Sequence, residues 1–153
     1  LGSQVRCAVL EDSDPLSKKV CERTQRWVEE VIVGYNICPF AMKPVSEKTV
    51  RYVVSDAADT ETLIRDSWKE AALLLDTDMD VIATTLLMAP NWAEGVDDYA
   101  NMGYWMEDYL EEDEEPIFEG ALSTAVFHPE WTFDGVGERD PVHFEKRSPY
   151  PTV

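Results

Sequence analysis

Val81-Ile82-Ala83-Thr84-Thr85-Leu86-Leu87-Met88 is a continuous apolar run interrupted only by two threonines. It is far too short for a membrane-spanning helix, which needs about 20 residues. It also lacks the polar alternation of a strand with one wet face. Such a run suits a strand covered on both faces, the pattern of a buried parallel sheet. Upstream, Ile64, Trp68, Ala71, Ala72 and Leu75 fall on one helical stripe, capped by Asp59 or Thr60 and closed by Asp76-Thr77-Asp78. Before that helix, residues 49–54 are β-branched and aromatic and read as a strand ended by Ser55-Asp56. Downstream, Asn91-Trp92-Ala93-Glu94 has the spacing of a capping box. It opens a helix with Val96, Tyr99, Met102, Met106 and Leu110 inward. Residues 121–127, after Gly120, read as a last strand.

The flanks complete the pattern. Ser13-Asp14-Pro15 starts a helix, and Leu16, Val20, Trp27, Val28, Val31 and Tyr35 recur at helical spacing as far as residue 35. Residues 38–48, with Pro39 and Pro44, read as a loop. After His128-Pro129, Gly135, Gly137, Pro141, Pro149 and Pro151 exclude long regular elements. The expected fold is α/β, a small three-stranded mainly parallel sheet in the order α-β-α-β-α-β, with helices packed on it and an irregular C-terminal tail. Crossovers between parallel strands are right-handed. Helix one or the tail is expected to shield an edge. Residues 1–13 form an N-terminal extension and 14–153 a single domain, in keeping with the length prior.

Charge bounds the partners. Against 13 Lys and Arg stand 31 Asp and Glu, a formal charge of -18 over 153 residues. Nucleic-acid phosphates and anionic membrane surfaces would be repelled. No segment spans a membrane, while peripheral docking stays open. The acidity serves either solubility or docking on the basic surface of a protein complex. The run at residues 111–116 is likewise either a docking face or a frayed, solvated helix end. Cys7, Cys21 and Cys38 are an odd count without a C-x-x-C pair, which speaks against a disulfide framework or a zinc site and for a reducing compartment. No metal and no cofactor is expected. The chain begins at Leu1, so a processed product is expected, with an organelle such as a plastid as a compatible setting.

In parallel sheets ligands sit beyond the carboxyl ends of the strands. That rule selects Ser55 and Asp56 after the first strand, Asn91 after the second and His128 after the third. Each also has a plain structural reading: a turn for Asp56, a cap for Asn91, packing for His128. His128 could activate the thiol of Cys38 as a nucleophile. However, helix one should leave Cys38 toward the opposite end of the sheet, and no base adjoins it before Lys43, so a buried, inert cysteine is the competing reading. There is no Gly-rich nucleotide loop. Arg147-Ser148-Pro149-Tyr150-Pro151 either binds an anion or anchors the tail on Asp or Glu.

Several strings, taken together and in order, resemble an uncharacterised family, the domain of unknown function 1415, over about residues 22–151. They are Thr24-Gln25-Arg26-Trp27-Val28-Glu29-Glu30-Val31-Ile32-Val33-Gly34-Tyr35-Asn36-Ile37-Cys38-Pro39-Phe40-Ala41, Arg51-Tyr52-Val53-Val54-Ser55-Asp56, Thr84-Thr85-Leu86-Leu87, Phe127-His128-Pro129-Glu130-Trp131-Thr132-Phe133-Asp134-Gly135 and Arg147-Ser148-Pro149-Tyr150-Pro151. The resemblance implies no named activity. It places the family's signature polar positions at Asn36, Cys38, Asp56, His128, Arg147, Ser148 and Tyr150. Lys146 stands where the family usually has Asn. The chain also stops at Val153, where members usually run on into a short helix.

Two functional expectations follow. The first is a non-catalytic interaction protein, an accessory subunit of a larger assembly, with an organellar and even photosynthetic complex as one setting. The second is a small enzyme of hydrolase or acyl-transfer type. It would use Cys38 and His128 on an anionic small molecule, with Asn36, Asp56, Asn91, Arg147, Ser148 and Tyr150 as binding residues. A Cys38 sulfur within about 4 Å of a His128 ring nitrogen would favour the enzyme.

Overall fold

The computed structural model describes residues 7–9, 14–111 and 121–153. In chain order the elements are strand β1 (Cys7–Val9), helix α1 (Pro15–Trp27) with a π-helical continuation (Val28–Val33), and a short helix α2 (Met42–Glu47). Strand β2 (Val50–Val54), helix α3 (Thr60–Leu75), strand β3 (Thr84–Met88), helix α4 (Val96–Glu111) and a 3-10 turn (Pro141–Glu145) complete them. Helix and strand are mixed as expected. The central feature is the parallel pair β2–β3, in register Val50 with Thr84 through Val54 with Met88. Three-residue β1, from the expected N-terminal extension, lies parallel along the other edge of β2.

The three strands expected are not the ones found. Residues 121–127 form no strand; only Phe127 makes an antiparallel bridge, to Thr152. The reason is competition for an edge. The chain end reaches β3 first: Leu87 and Val153 exchange both backbone bonds at 2.9 and 3.0 Å, and Ala89 N–H donates to the Pro151 carbonyl at 2.8 Å. Phe127 is thereby displaced one position outward. The tail thus shields part of an edge, and 81–88 is a strand only from Thr84 onward.

Side chains alternate across the pair. Val53 and Leu87 join Leu63, Tyr99, Met102 and Met106 under α3 and α4, while Tyr52, Val54 and Met88 join Val20, Trp27, Val28 and Ile32 under α1. The buried row of α3 is not the expected apolar stripe: Leu63, Asp66, Ser67 and Glu70 face inward, and Leu75 is exposed. Polar groups on β2 and directly after it demand this. Arg51 Nε and Nη2 donate to both oxygens of Glu70 at 2.7 and 3.2 Å, and Ser55 Oγ donates to Asp66 at 2.8 Å. Asp59 caps α3 as expected, accepting from Thr62 N–H. On α4, Tyr99, Met102 and Met106 face inward as expected, and a Cβ at Gly103 would lie 2.2 Å from Val126. The side chain of Leu110, the run after residue 111, Gly120 and the Ser13 cap lie outside the described residues.

Helix one ends where the sequence suggests, by an identifiable device. Asn36 adopts φ 52°, Ile37 N–H bonds the Ile32 carbonyl and Asn36 N–H the Val33 carbonyl. This is the αL-terminated helix end whose following residue packs back on the last turn; Ile37 does so against the α1 cluster. Tyr35, expected on the inward stripe, is exposed instead. Residues 38–48, expected as loop, contain α2, with Pro44 tolerated in its first turn. Buried Cys21 is disulfide-bonded. That corrects the expectation that the cysteines are unpaired. Cys38 is free.

Candidate functional site

At the carboxyl rim of the strands, where a ligand was expected, Ser55 is engaged within the chain. Ser55 Oγ donates to Asp66 and accepts from Ala57 N–H at 3.0 Å, and Lys69 Nζ donates to Asp66 at 2.8 Å. Burial alone would raise the Asp66 carboxyl, but the hydrogen bonds from Lys69 and Ser55 outweigh it and hold it below the usual range. Asn91 is exposed and caps nothing: α4 begins only at Val96. Glu94 turns away from its expected box and accepts from Thr60 N–H at 3.2 Å and from the Thr60 hydroxyl, while Ala93 N–H bonds the Ala58 carbonyl at 3.0 Å. These bonds stitch the loop after β3 onto the start of α3. Asp56 stays exposed beside them.

His128 is buried. Its Nδ1 accepts from Glu130 N–H at 3.1 Å and its ring lies 5.3 Å from that of Tyr99. Burial lowers its pKa against the opposing pull of Glu130, so the ring is neutral and its Nδ1 is occupied. His143, fully buried, accepts from Phe133 N–H on Nδ1 and places Nε2 2.8 Å from the Gly137 carbonyl. Both histidines therefore hold turns of the C-terminal region.

The remaining polar candidates also serve the fold. Arg147 Nε donates to the Trp131 carbonyl at 2.8 Å, so it anchors the tail on backbone and not on the carboxylate expected. Ser148 and Thr152 hydroxyls both donate to the Tyr150 carbonyl. The Tyr150 hydroxyl accepts from Arg23 at 3.3 Å, with the guanidinium carbon 5.4 Å from its ring centre. Asn36 supplies the αL turn. Cys38 packs with the α1 cluster, His128 rests on Tyr99 of the α3–α4 cluster, and among the described residues no hydrogen bond joins the two.

The opening lies elsewhere. A groove of about 1130 Å3 runs along the outer edge of β3 toward the amino ends of the strands. Trp27, Val28, Ile32 and Phe127 line it on the α1 side, Trp68, Leu74 and Met106 on the other, with Val50, Ala83 and residues 84–87 between. Cys38, Pro39 and Phe40 form part of its wall because the Asn36 turn sends the chain there. At its mouth Phe40 is 84% and Met79 74% exposed. Lys146 also lines it, its Nζ 5.3 Å from the Phe127 ring centre and 5.7 Å from that of Trp131. Burial pushes this ammonium's pKa down, and Glu107 opposes the shift. Sequence reasoning missed the groove. Its one signal was the pair Thr84-Thr85 inside an otherwise apolar run, where half-burial replaces the two-sided cover expected.

Among the described residues no group of three or more His, Cys, Asp or Glu could hold a metal, and no helix is long and apolar enough to cross a membrane. A family model described as "Protein of unknown function (DUF1415)" matches residues 19–153. No curated protein and no solved structure matches the chain.

Proposed function

We propose that this chain, which belongs to the DUF1415 family of proteins of unknown function, is a non-catalytic interaction protein that holds an apolar segment of a protein partner in the β3-edge groove. The groove itself carries the reading. Two large apolar side chains, Phe40 and Met79, stand in water at its mouth. Exposed apolar surface rimmed by polar residues marks an interaction site. At about 1130 Å3 the groove is larger than the roughly 300–1,000 Å3 of small-molecule sites. With a formal charge of -18, the partner segment best suited is apolar with basic flanks, attracted at long range and seated by burial.

Peptide display on the native protein tests this. Selection is expected to enrich apolar sequences with Lys or Arg at their ends. Their binding should be lost on a Phe40→Asp, Met79→Glu double variant, whose changes sit on exposed positions, and retained on Cys38→Ser. Failure to enrich any peptide that distinguishes native from double variant would overturn the proposal. Binding that requires the Cys38 thiol would point back to an enzyme.

A further inference from the structure

Lys146 stands apart from the other lysines. Lys18, Lys19, Lys43, Lys48 and Lys69 are exposed, whereas Lys146 is half buried. Its Nζ lies over two aromatic rings, 5.3 Å from the centre of Phe127 and 5.7 Å from that of Trp131. Among the described residues it makes no ion pair, and Glu107 acts on it only at longer range. Burial disfavours the ammonium and leaves more of the neutral amine, the form whose lone pair is nucleophilic. The amine is also within reach of a ligand. Lys146 lines the groove together with Phe127 and Trp27, whose rings meet edge to face with centres 5.5 Å apart.

We propose that Lys146 is a covalent carbonyl-binding site, whose amine condenses reversibly with a small, uncharged aromatic aldehyde seated against Phe127 and Trp27. The site goes beyond the interaction reading above and does not depend on it. The condensation balances without a further reactant. The Nζ lone pair bonds the carbonyl carbon while the C=O electron pair moves to oxygen, which takes a proton from nitrogen. The hydroxyl so formed leaves with the second amine proton as water, and carbon and nitrogen remain joined by a double bond. Three observations select this ligand class. A desolvated lysine without an ion-pair partner is the kind that forms Schiff bases. An anionic ligand would have to approach a chain of formal charge -18 with Glu107 nearby, whereas an uncharged aldehyde meets no such repulsion. The aryl group finds the rings of Phe127 and Trp27, on which offset and edge-on packing is favourable. Glu107 then favours the imine in its protonated form, as an opposite charge does.

The test treats the full chain at neutral pH with limiting benzaldehyde and with sodium cyanoborohydride, which reduces an imine to a stable secondary amine. Peptide mapping by mass spectrometry then locates the adduct. Lys43 is the internal control, because it lines the same groove but is 78% exposed and pairs with Glu47. Lys146 is expected to carry at least about tenfold more adduct than Lys43. With acetaldehyde, which has no ring, that preference should be at least about threefold smaller. Lys146→Arg keeps a positive charge and should abolish this adduct while labelling at Lys43 is unchanged. Adduct that follows exposure, with Lys43 labelled as heavily as Lys146, would overturn the proposal. Equal selectivity with the two aldehydes would overturn it as well, because nothing would then recognise the aromatic ring.

Discussion

The two ends of the sheet have opposite characters. At the carboxyl rim the buried and bridging polar side chains are committed to the fold, Ser55 to Asp66, Glu94 to Thr60 and His128 to Glu130, while Asp56 and Asn91 stay exposed. Along the edge of β3 toward the amino ends, a groove opens with apolar side chains exposed at its mouth. A polar residue in the expected place for chemistry is evidence of hydrogen-bonding capacity, not of function. Once that capacity is met within the chain, the residue stabilises and does nothing further. What remains available for a partner is surface that the fold leaves unsatisfied, and in the groove that surface is apolar.

The contrast can be broken most severely at the bridge between its halves, the Arg51–Glu70 pair, whose side chains are 18% and 8% exposed and whose carboxylate lines the groove. Arg51→Met leaves that carboxylate buried and alone. A loss of about 3–5 kcal/mol in urea unfolding is expected, with much of it recovered in Arg51→Met, Glu70→Leu. If the double variant is no more stable than the single, the pair is not what holds β2 to α3. A smaller loss, about 1–3 kcal/mol, is expected for Gly34→Ala, because a Cβ there would lie 2.2 Å from the Glu30 carbonyl oxygen, an atom fixed in the helix backbone. The Asn36 turn that carries Cys38 and Phe40 into the groove wall depends on this helix end. Peptide binding should therefore weaken in this variant even where the rim stays intact.

How much of this was legible follows from what each signal measures. The helical stripe from Val20 to Val28 and the apolar residues Leu87 and Met88 were read correctly, since burial on a regular element imposes a local period. The third strand was misread because its competitor, residues 151–153, is too short to show any period and reaches β3 through a contact distant in sequence. The α3 stripe was misread because Asp66 and Glu70 look solvent-facing until their partners Ser55 and Arg51 are known. His128, Arg147, Ser148 and Tyr150 were singled out by type, and type does not tell a satisfied group from a free one. Phe40 and Met79 carry no local signal of their exposure, because exposure of an apolar residue is a tertiary fact.

Finer tests bear on the rim alone. His128 must stay neutral for Nδ1 to accept from Glu130, and burial lowers its pKa below the ordinary value of about 6.5. The unfolded chain therefore binds more protons than the folded one as pH drops through that range, so this residue's contribution is full above about pH 6.5 and falls as the solution is acidified. The melting temperature of the native protein should decline from pH 7.5 to 5.5 more steeply than that of His128→Asn, which keeps an acceptor that does not titrate. Parallel slopes would mean that the imidazole is not sensing burial.

The smallest effect expected is at Asn91. Its capping-box spacing is not realised, α4 starts later, and its side chain lies in water. Removal of a genuine N-cap costs about 0.5–2 kcal/mol, whereas a surface substitution stays within about 0.5 kcal/mol. Asn91→Ala should fall in the second class, with unfolding indistinguishable from native. The same substitution at Asp59, which does accept from Thr62 N–H, should fall in the first. The two together separate a cap by sequence from a cap by geometry. A loss of 1 kcal/mol or more at Asn91 would mean that the loop after β3 reaches the helix in solution, and that the rim is less completely closed than its bonds imply.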